Sequence, residues 1–209
     1  MGLVAKFIEK DTRAIVNVPN ASLVLLKGDL LNTRADAIVC PVGRSLLPRS
    51  ALGSDIFTKY PKLGEEIPAF KKQMRTKTFE LGSALVFDSG VKERTGVPKL
   101  VSLAVLDARK DFLDSYTYTN HVETAVLTSF GGCSNYEIKS IAFPILDTFR
   151  DASETDSIVN IMAKKIIGRM NDTWNRIKTF KLVVSPDKYE MALVEVYKAA
   201  FDVLILPKK

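Results

Sequence analysis

Short runs of apolar residues recur along the chain, and segments with helical spacing lie between several of them. Runs this short, and this rich in branched side chains, are typical of strands that are buried on both faces of a sheet. The N-terminal runs at residues 3–8 and 14–18 have no helix between them and predict an antiparallel pair at one sheet edge. The other predicted strands are residues 23–26, 37–40, 84–87, 100–105, 140–143 and 182–184.

Two segments near the C-terminus carry apolar residues at helical spacing, at residues 158–170 and 189–200. The second of these helices is expected to start with Ser185 as its N-cap and Pro186 at its first position. Asp187, next in the chain, would then lie at the positive end of the helix dipole.

A third helix is expected over residues 120–130, with a stop at Gly131 and Gly132. Strands that alternate with helices predict an α/β fold with a mixed, mainly parallel sheet and helices on both faces. We find no internal repeat, low-complexity tract or linker, so residues 1–209 are expected to form one domain.

The composition, 46% hydrophobic and 26% charged, is that of a globular protein that can bury a core without disulfides. Cys40 and Cys133 lack metal-ligand spacing and His121 is the single histidine, so we assign no metal and no cofactor. No apolar stretch is long enough for a signal peptide or a membrane span, which predicts a cytoplasmic or otherwise intracellular protein without membrane contact.

A formal net charge of +6 and a pI of about 9.2 leave two interpretations open. A basic protein can attract anionic ligands, nucleic acid included. The lysines and arginines are scattered in short pairs, such as Lys71-Lys72 and Lys164-Lys165. This scatter favours a solvated surface over a nucleic-acid interface.

Ligands of open α/β sheets bind beyond the carboxyl ends of the strands, and three predicted strand ends carry suggestive sequences. Gly28-Asp29 follows the strand at 23–26. The segment PVGRSLLPRSALGSD follows residue 40 and leads into a helix, and PILDTFRDASETD follows residue 143 and leads into another.

Three stretches at these strand ends, LVLLKGDL, ADAIVC and SIAFPIL, occur in the order of the backbone landmarks of a known family. The chain resembles the macro domains, which are ADP-ribose-binding modules, over residues 23–189. The resemblance implies a three-layer α/β/α fold. It also implies that Asp29 accepts a hydrogen bond from the adenine amino group, with Leu30 beside it. A cap or turn is the alternative role for Asp29.

The sequence departs from the family where hydrolytic members carry N-A-A-N, because Cys40-Pro41-Val42-Gly43 stands there instead. The resemblance implies that the last Asn orients the distal ribose, and Gly43 has no side chain for that role. Cys40 is expected to be a small core residue rather than a nucleophile. We therefore assign no catalytic residue.

The family's glycine-rich loop is also changed, to Pro48-Arg49-Ser50-Ala51-Leu52. Glycines allow a backbone to approach phosphate closely, whereas Pro48 removes one N–H donor. Arg49 and the upstream Arg44 are candidates to replace those donors with charge. Solvent-exposed loop positions are the alternative for both arginines.

The second family loop, S-T-G-x-x-G, is replaced by a segment in which Phe149 stands for a glycine and two aspartates bring charge that repels a pyrophosphate. Val184 stands where the family places an aromatic over adenine, so it can pack on a base but not stack. The candidate ligand-binding residues are Asp29, Leu30, Gly43, Arg44, Arg49, Ser50, Ala51, Leu52, Leu146, Asp147, Thr148, Phe149, Arg150 and Val184.

Three functions fit this pattern. The one we favour is a module that binds ADP-ribose or a related adenine nucleotide with little or no turnover. The second is a degenerate macro domain that has exchanged the nucleotide for a protein or RNA partner. The third is a hydrolase of ADP-ribosyl groups or of ADP-ribose phosphate, which the lost positioning residues disfavour.

Overall fold

A computed structural model describes residues 6–10, 13–91, 97–106, 115–146, 152–170, 172 and 176–205. Its strands are β1 (Lys6–Lys10), β2 (Arg13–Val18), β3 (Ala21–Lys27), β4 (Ala37–Val42), β5 (Ala84–Asp88), β6 (Leu100–Val105), β7 (Ser140–Pro144) and β8 (Thr179–Val184). Its helices are α1 (Ala51–Lys59), α2 (Lys62–Gln73), α3 (Ser115–Ser134), α4 (Ala152–Met170) and α5 (Tyr189–Leu204), with short 3-10 turns at Leu30–Asn32 and Pro186–Lys188.

The strands form one eight-stranded sheet in the order β1-β2-β3-β8-β7-β4-β6-β5. Parallel pairing joins the five central strands from β3 to β6. Antiparallel pairing adds β1 and β2 at one edge and β5 at the other. The predicted mixed, mainly parallel sheet and its N-terminal antiparallel pair are therefore confirmed.

Helices cover both faces of this sheet. The sequence of β4 is apolar throughout because its side chains are buried on both faces. Ala37 and Val39 belong to the core that packs under α3, α4 and α5. Ile38, Cys40 and Val42 point to the other face and pack with α1 and α2. A strand between two helical layers buries both sets of side chains, and the result is the predicted three-layer α/β/α architecture.

The predicted stop of α3 at Gly131 and Gly132 is wrong, because the helix continues through both residues to Ser134. The second glycine serves packing instead. A Cβ on Gly132 would lie 2.7 Å from Cγ2 of Val86 in β5, whereas a Cβ on Gly131 would meet nothing within 4 Å. Gly132 therefore allows α3 to lie close to β5.

The last helix begins differently from its prediction. Ser185 caps a 3-10 turn over Pro186–Lys188, its side chain makes no capping bond to the backbone, and α5 itself starts at Tyr189. The Ser185 hydroxyl instead hydrogen-bonds the Asp187 carboxylate, which lowers the pKa of Asp187. No helix in the part of the chain that the structure describes is long and apolar enough to cross a membrane.

Candidate functional site

A pocket of about 280 Å³ lies beyond the carboxyl ends of β3, β7 and β8, beside the first turn of α1. This is the side of an α/β sheet where ligands bind. Four of the predicted site residues, Asp29, Leu30, Leu52 and Val184, line it together. The lining residues that the sequence did not assign to the ligand site are Gly28, Pro144, Ile145, Val183, Ser185 and Lys188.

Asp29 is held at the mouth of this pocket by three hydrogen bonds. Its Oδ1 accepts from the backbone N–H of Leu31 at 2.9 Å, and its Oδ2 accepts from the side-chain amide of Asn32 at 2.9 Å. The Asp29 carbonyl accepts from the hydroxyl of Thr33 at 2.8 Å. Asp29 therefore caps the 3-10 turn that follows β3, and it is exposed, so its carboxylate keeps lone pairs for a further donor.

The walls of the pocket are apolar on two sides. Leu30 and Val184 are buried, and Ile145 is nearly so. The N–H of Gly28 donates to the carbonyl of Val184 at 2.9 Å, which ties the ends of β3 and β8 together beside Asp29. A flat apolar group with a polar edge fits such a surface, since apolar walls and few polar groups are typical of small-molecule sites.

The N-terminus of α1 opens on the same pocket through Leu52. Ser50 caps the helix, with its Oγ accepting from the N–H of Gly53 at 3.1 Å. The N–H groups of Ala51 and Leu52 have no acceptor among the residues that the structure describes. Unused donors at the positive end of a helix favour an anion there.

Gly43 and Arg49 lie against each other where β4 ends. A Cβ on Gly43 would meet the Arg49 side chain, 3.1 Å from Cδ and 3.3 Å from Cζ. The loop between them closes through a bond from the N–H of Leu46 to the carbonyl of Gly43 at 2.8 Å. The Arg49 guanidinium itself is exposed and has no partner within the described residues, so it is available to an anion.

Arg44 lies apart from the pocket. Its Nε donates to the carbonyl of Phe79 at 3.2 Å, and its own carbonyl accepts from the N–H of Phe79 at 2.9 Å. These bonds tie the loop after β4 to the segment that precedes β5. The structure therefore brings Arg49, but not Arg44, next to the start of α1.

Leu146 is fully buried after β7, and Tyr118 holds its backbone. The Tyr118 hydroxyl donates to the Leu146 carbonyl at 2.8 Å. Tyr118 lies buried in α3, in the part of the helix that precedes the predicted start at residue 120. The other residues predicted for this loop, Asp147, Thr148, Phe149 and Arg150, lie outside the described residues.

Cys40 is a core residue, as the sequence predicted, and so is Cys133. Burial raises the pKa of each thiol to about 12, so both are protonated at neutral pH. A protonated, buried thiol is neither a nucleophile nor a metal ligand. In the described part of the chain, no group of three His, Cys, Asp or Glu side chains is placed to hold a metal ion.

Lys188 is the lining residue with the clearest chemistry that the sequence did not identify. It sits in the 3-10 turn before α5 and brings a positive charge to the pocket that Asp29 also lines. A lysine in a polar SPDKYE segment resembles any surface lysine. Only the parallel pairing of β3 with β8 brings residue 188 to residue 29.

No protein-family model matches the sequence, and no curated protein is significantly similar to it. Solved structures do match. An Oceanobacillus iheyensis macrodomain with ADP is 13% identical at a TM-score of 0.77, over 91% of this chain and 98% of that chain. A variant of that macrodomain with ADPR is 14% identical at a TM-score of 0.76, over 90% of this chain and 98% of that chain.

A Trypanosoma brucei macrodomain in complex with ADP is 12% identical at a TM-score of 0.65, over 83% of this chain and 68% of that chain. Identities this low establish the architecture rather than the activity. The chain has the macrodomain fold, as the three motifs at its strand ends predicted.

Proposed function

We propose that the chain is a divergent macrodomain that binds ADP-ribose or a related adenine nucleotide in the pocket beside Asp29, with little or no catalysis. The observation that carries this proposal is a fixed, exposed carboxylate beside the apolar walls that Leu30, Ile145 and Val184 give the pocket. The solved macrodomains with ADP or ADPR support the choice of nucleotide.

The adenine end of the ligand would lie between Asp29 and Val184. Asp29 would accept the exocyclic amino group of adenine, because two of its carboxylate lone pairs remain free after the bonds to Leu31 and Asn32. Val184 and Leu30 would pack against the faces of the base.

The phosphates would lie at the start of α1. Leu52 lines the pocket, and the N–H groups of Ala51 and Leu52, which have no acceptor among the described residues, would form an anion-binding helix end there. Arg49 precedes that helix, and its guanidinium has no partner among the described residues, while Lys188 adds a positive charge to the pocket lining. Charge and helix dipole would thus replace the donors of a glycine-rich loop.

Weak or absent turnover is expected because the residues at the end of β4 lack groups that could position or attack a substrate. Gly43 offers no side chain to orient a ribose, and the volume beside it holds the Arg49 side chain. Cys40 is buried with a thiol pKa of about 12 and cannot attack a substrate. We infer binding as the main activity.

Calorimetric titration with ADP-ribose and with ADP tests the proposal. Asp29→Ala should weaken binding by about 1 to 3 kcal/mol, which is about 5- to 150-fold, because the adenine amino group loses a charged acceptor. Asp29→Asn should weaken it less, since the amide keeps one acceptor oxygen.

Asn32→Ala is the matched control, because it removes one bond of the same turn and leaves the carboxylate in place. Its affinity should stay within about twofold of the unmodified protein. An equal loss in both variants would assign the effect to the turn rather than to the carboxylate. If millimolar nucleotide gives no binding heat and no change in melting temperature, nucleotide binding is refuted and a protein or RNA partner is favoured.

A further inference from the structure

A second concave surface lies far along the sheet from the nucleotide pocket, on the edge formed by β5. This groove of about 450 Å³ runs along the strand, with α2 as one wall and Tyr136, which follows α3, as the other. Phe70 of α2 packs edge-on against Phe87 of β5, with ring centroids 5.6 Å apart. Its apolar lining includes Phe70, Leu85, Val86, Phe87 and Tyr136.

The floor of the groove is a strand edge whose outward backbone groups have no hydrogen-bond partner among the residues that the structure describes. β5 is the last strand at one edge of the sheet, and it pairs with β6 on its inner side. The Ser83 carbonyl accepts from Val105 and the Ser89 N–H donates to Lys99, both at 2.8 Å. In an antiparallel pair, the backbone N–H and C=O groups of every second residue bond to the neighbouring strand. In β5 the odd-numbered residues therefore direct these groups at β6. The outward-facing backbone groups are those of Ala84, Val86 and Asp88.

The charge in this groove is negative, on a chain whose formal net charge is +6. Its charged lining residues are Glu66 and Asp88. Both carboxylates share one lysine, Lys62, whose Nζ lies 3.1 Å from Glu66 and 3.5 Å from Asp88. Among the described residues, two carboxylates against one ammonium leave an excess of negative charge, which a basic ligand would complement.

We propose that the β5 groove binds an extended segment of a partner protein, which adds to the sheet as a further strand beside β5. Backbone bonds to Ala84 and Val86 supply affinity, and the walls select side chains. The segment carries an aromatic or aliphatic residue for the surface of Phe70 and Phe87, and a lysine or arginine for Glu66 and Asp88.

A second copy of this chain fits the groove poorly. Two copies that paired through β5 around a twofold axis would each bring Glu66 and Asp88 to the same interface. Like charges that face each other across strands are destabilising. A basic partner segment satisfies the same backbone edge without that repulsion.

The test uses fluorescein-labelled hexapeptides in which phenylalanine and valine alternate with lysine. Their binding to the protein is measured by fluorescence anisotropy. The lysine peptide should bind saturably, and a version with glutamate for lysine should bind at least tenfold more weakly. A version with alternate backbone nitrogens methylated should lose binding, because it keeps the side chains but cannot pair with a strand edge. Equal binding of the methylated peptide would overturn strand addition.

Val86→Pro removes an outward N–H and leaves the bonds to β6 intact, as edge prolines do. It should abolish peptide binding, whereas Val86→Thr, which keeps the donor, should retain it. Unchanged binding by Val86→Pro would overturn the proposal, as would self-association of the unmodified chain that Val86→Pro disrupts, since the occupant would then be a second copy.

A charge pair tests the groove without touching the strand. Glu66→Lys should weaken the lysine peptide at least fivefold. Glu65→Lys, one position away on the exposed face of α2 and outside the groove lining, changes net charge equally and should have little effect. Equal losses in both variants would mean non-specific attraction and would refute the site. Both variants should keep any binding of ADP-ribose, so failure here is distinguishable from failure at the nucleotide pocket.

Discussion

At the scale of single residues, Gly43 and Arg49 act as a pair. The Arg49 side chain fills the space that a side chain on residue 43 would need. We therefore expect Gly43→Asn to displace the Arg49 side chain and to cost less than about 1 kcal/mol, because the clash is with the movable end of an exposed, flexible side chain. Urea unfolding measures the change.

Arg49→Ala provides the second arm of a double-mutant cycle. Alone it should cost little, because the guanidinium is exposed and unpartnered among the described residues. Combined with Gly43→Asn it should remove most of that small cost, with a coupling of about 0.5 kcal/mol. Additive effects would mean that the two side chains do not compete for space.

Part of the candidate site could be predicted from the sequence, through the resemblance of its strand ends to macro domains. Asp29 and Val184 were both assigned to the site, and the structure places them on one pocket. Lys188 and Tyr118 were not, because neither position differs in type from a surface lysine or a core tyrosine. Their roles depend on which strand lies beside which, and that pairing is not written in local sequence.

At the scale of elements, the contact between α3 and β5 depends on Gly132. Gly132→Ala would place a Cβ 2.7 Å from Cγ2 of Val86, so we expect a loss of about 1 to 3 kcal/mol despite the better helix propensity of alanine. Thermal unfolding followed by circular dichroism measures the change.

Gly131→Ala is the matched control one position earlier in the same helix. Its Cβ would meet nothing within 4 Å, so alanine should stabilise the protein by about 0.5 to 1 kcal/mol. Opposite signs at neighbouring glycines would confirm that α3 continues through both. A gain at both positions would contradict the close approach to β5.

These two glycines also show where sequence patterns fail for elements. A Gly-Gly pair after an apolar helix is the usual signal of a helix end, and the sequence predicted one there. The helix continues through both glycines because the close packing of Gly132 against Val86 offsets the weak helix propensity of glycine. The strands were predicted more reliably, since double burial leaves a continuous apolar run such as residues 37–42.

At the scale of the whole molecule, the two proposed sites lie at different places on one sheet. The nucleotide pocket uses side chains and helix dipoles beyond the strand ends, and the peptide groove uses the free edge of β5. The two share no lining residue. We expect variants at either site to leave the other unchanged unless they alter global stability, which both sites share.

That global stability should fall in alkaline solution because of two buried thiols. Folding raises the pKa of Cys40 and of Cys133 from an ordinary value of about 9 to about 12. Below pH 9 both thiols are protonated in both states and cost nothing. Between pH 9 and 12 the unfolded chain releases protons that the folded chain keeps, so the free energy of unfolding falls as pH rises. At pH 10 the loss should be about 1.4 kcal/mol for each thiol.

Tyrosines and lysines titrate over the same range, so the measurement is a comparison with the Cys40→Ala/Cys133→Ala variant. Urea unfolding at pH 8 and at pH 10 gives the change in free energy for each protein. The unmodified protein should lose about 3 kcal/mol more than the variant over this interval, because the variant keeps every other titrating group and lacks the thiols. Equal losses would show that the thiols are not shielded from ionisation, and Cys40 would then be open to the solvent and to reagents at the end of β4.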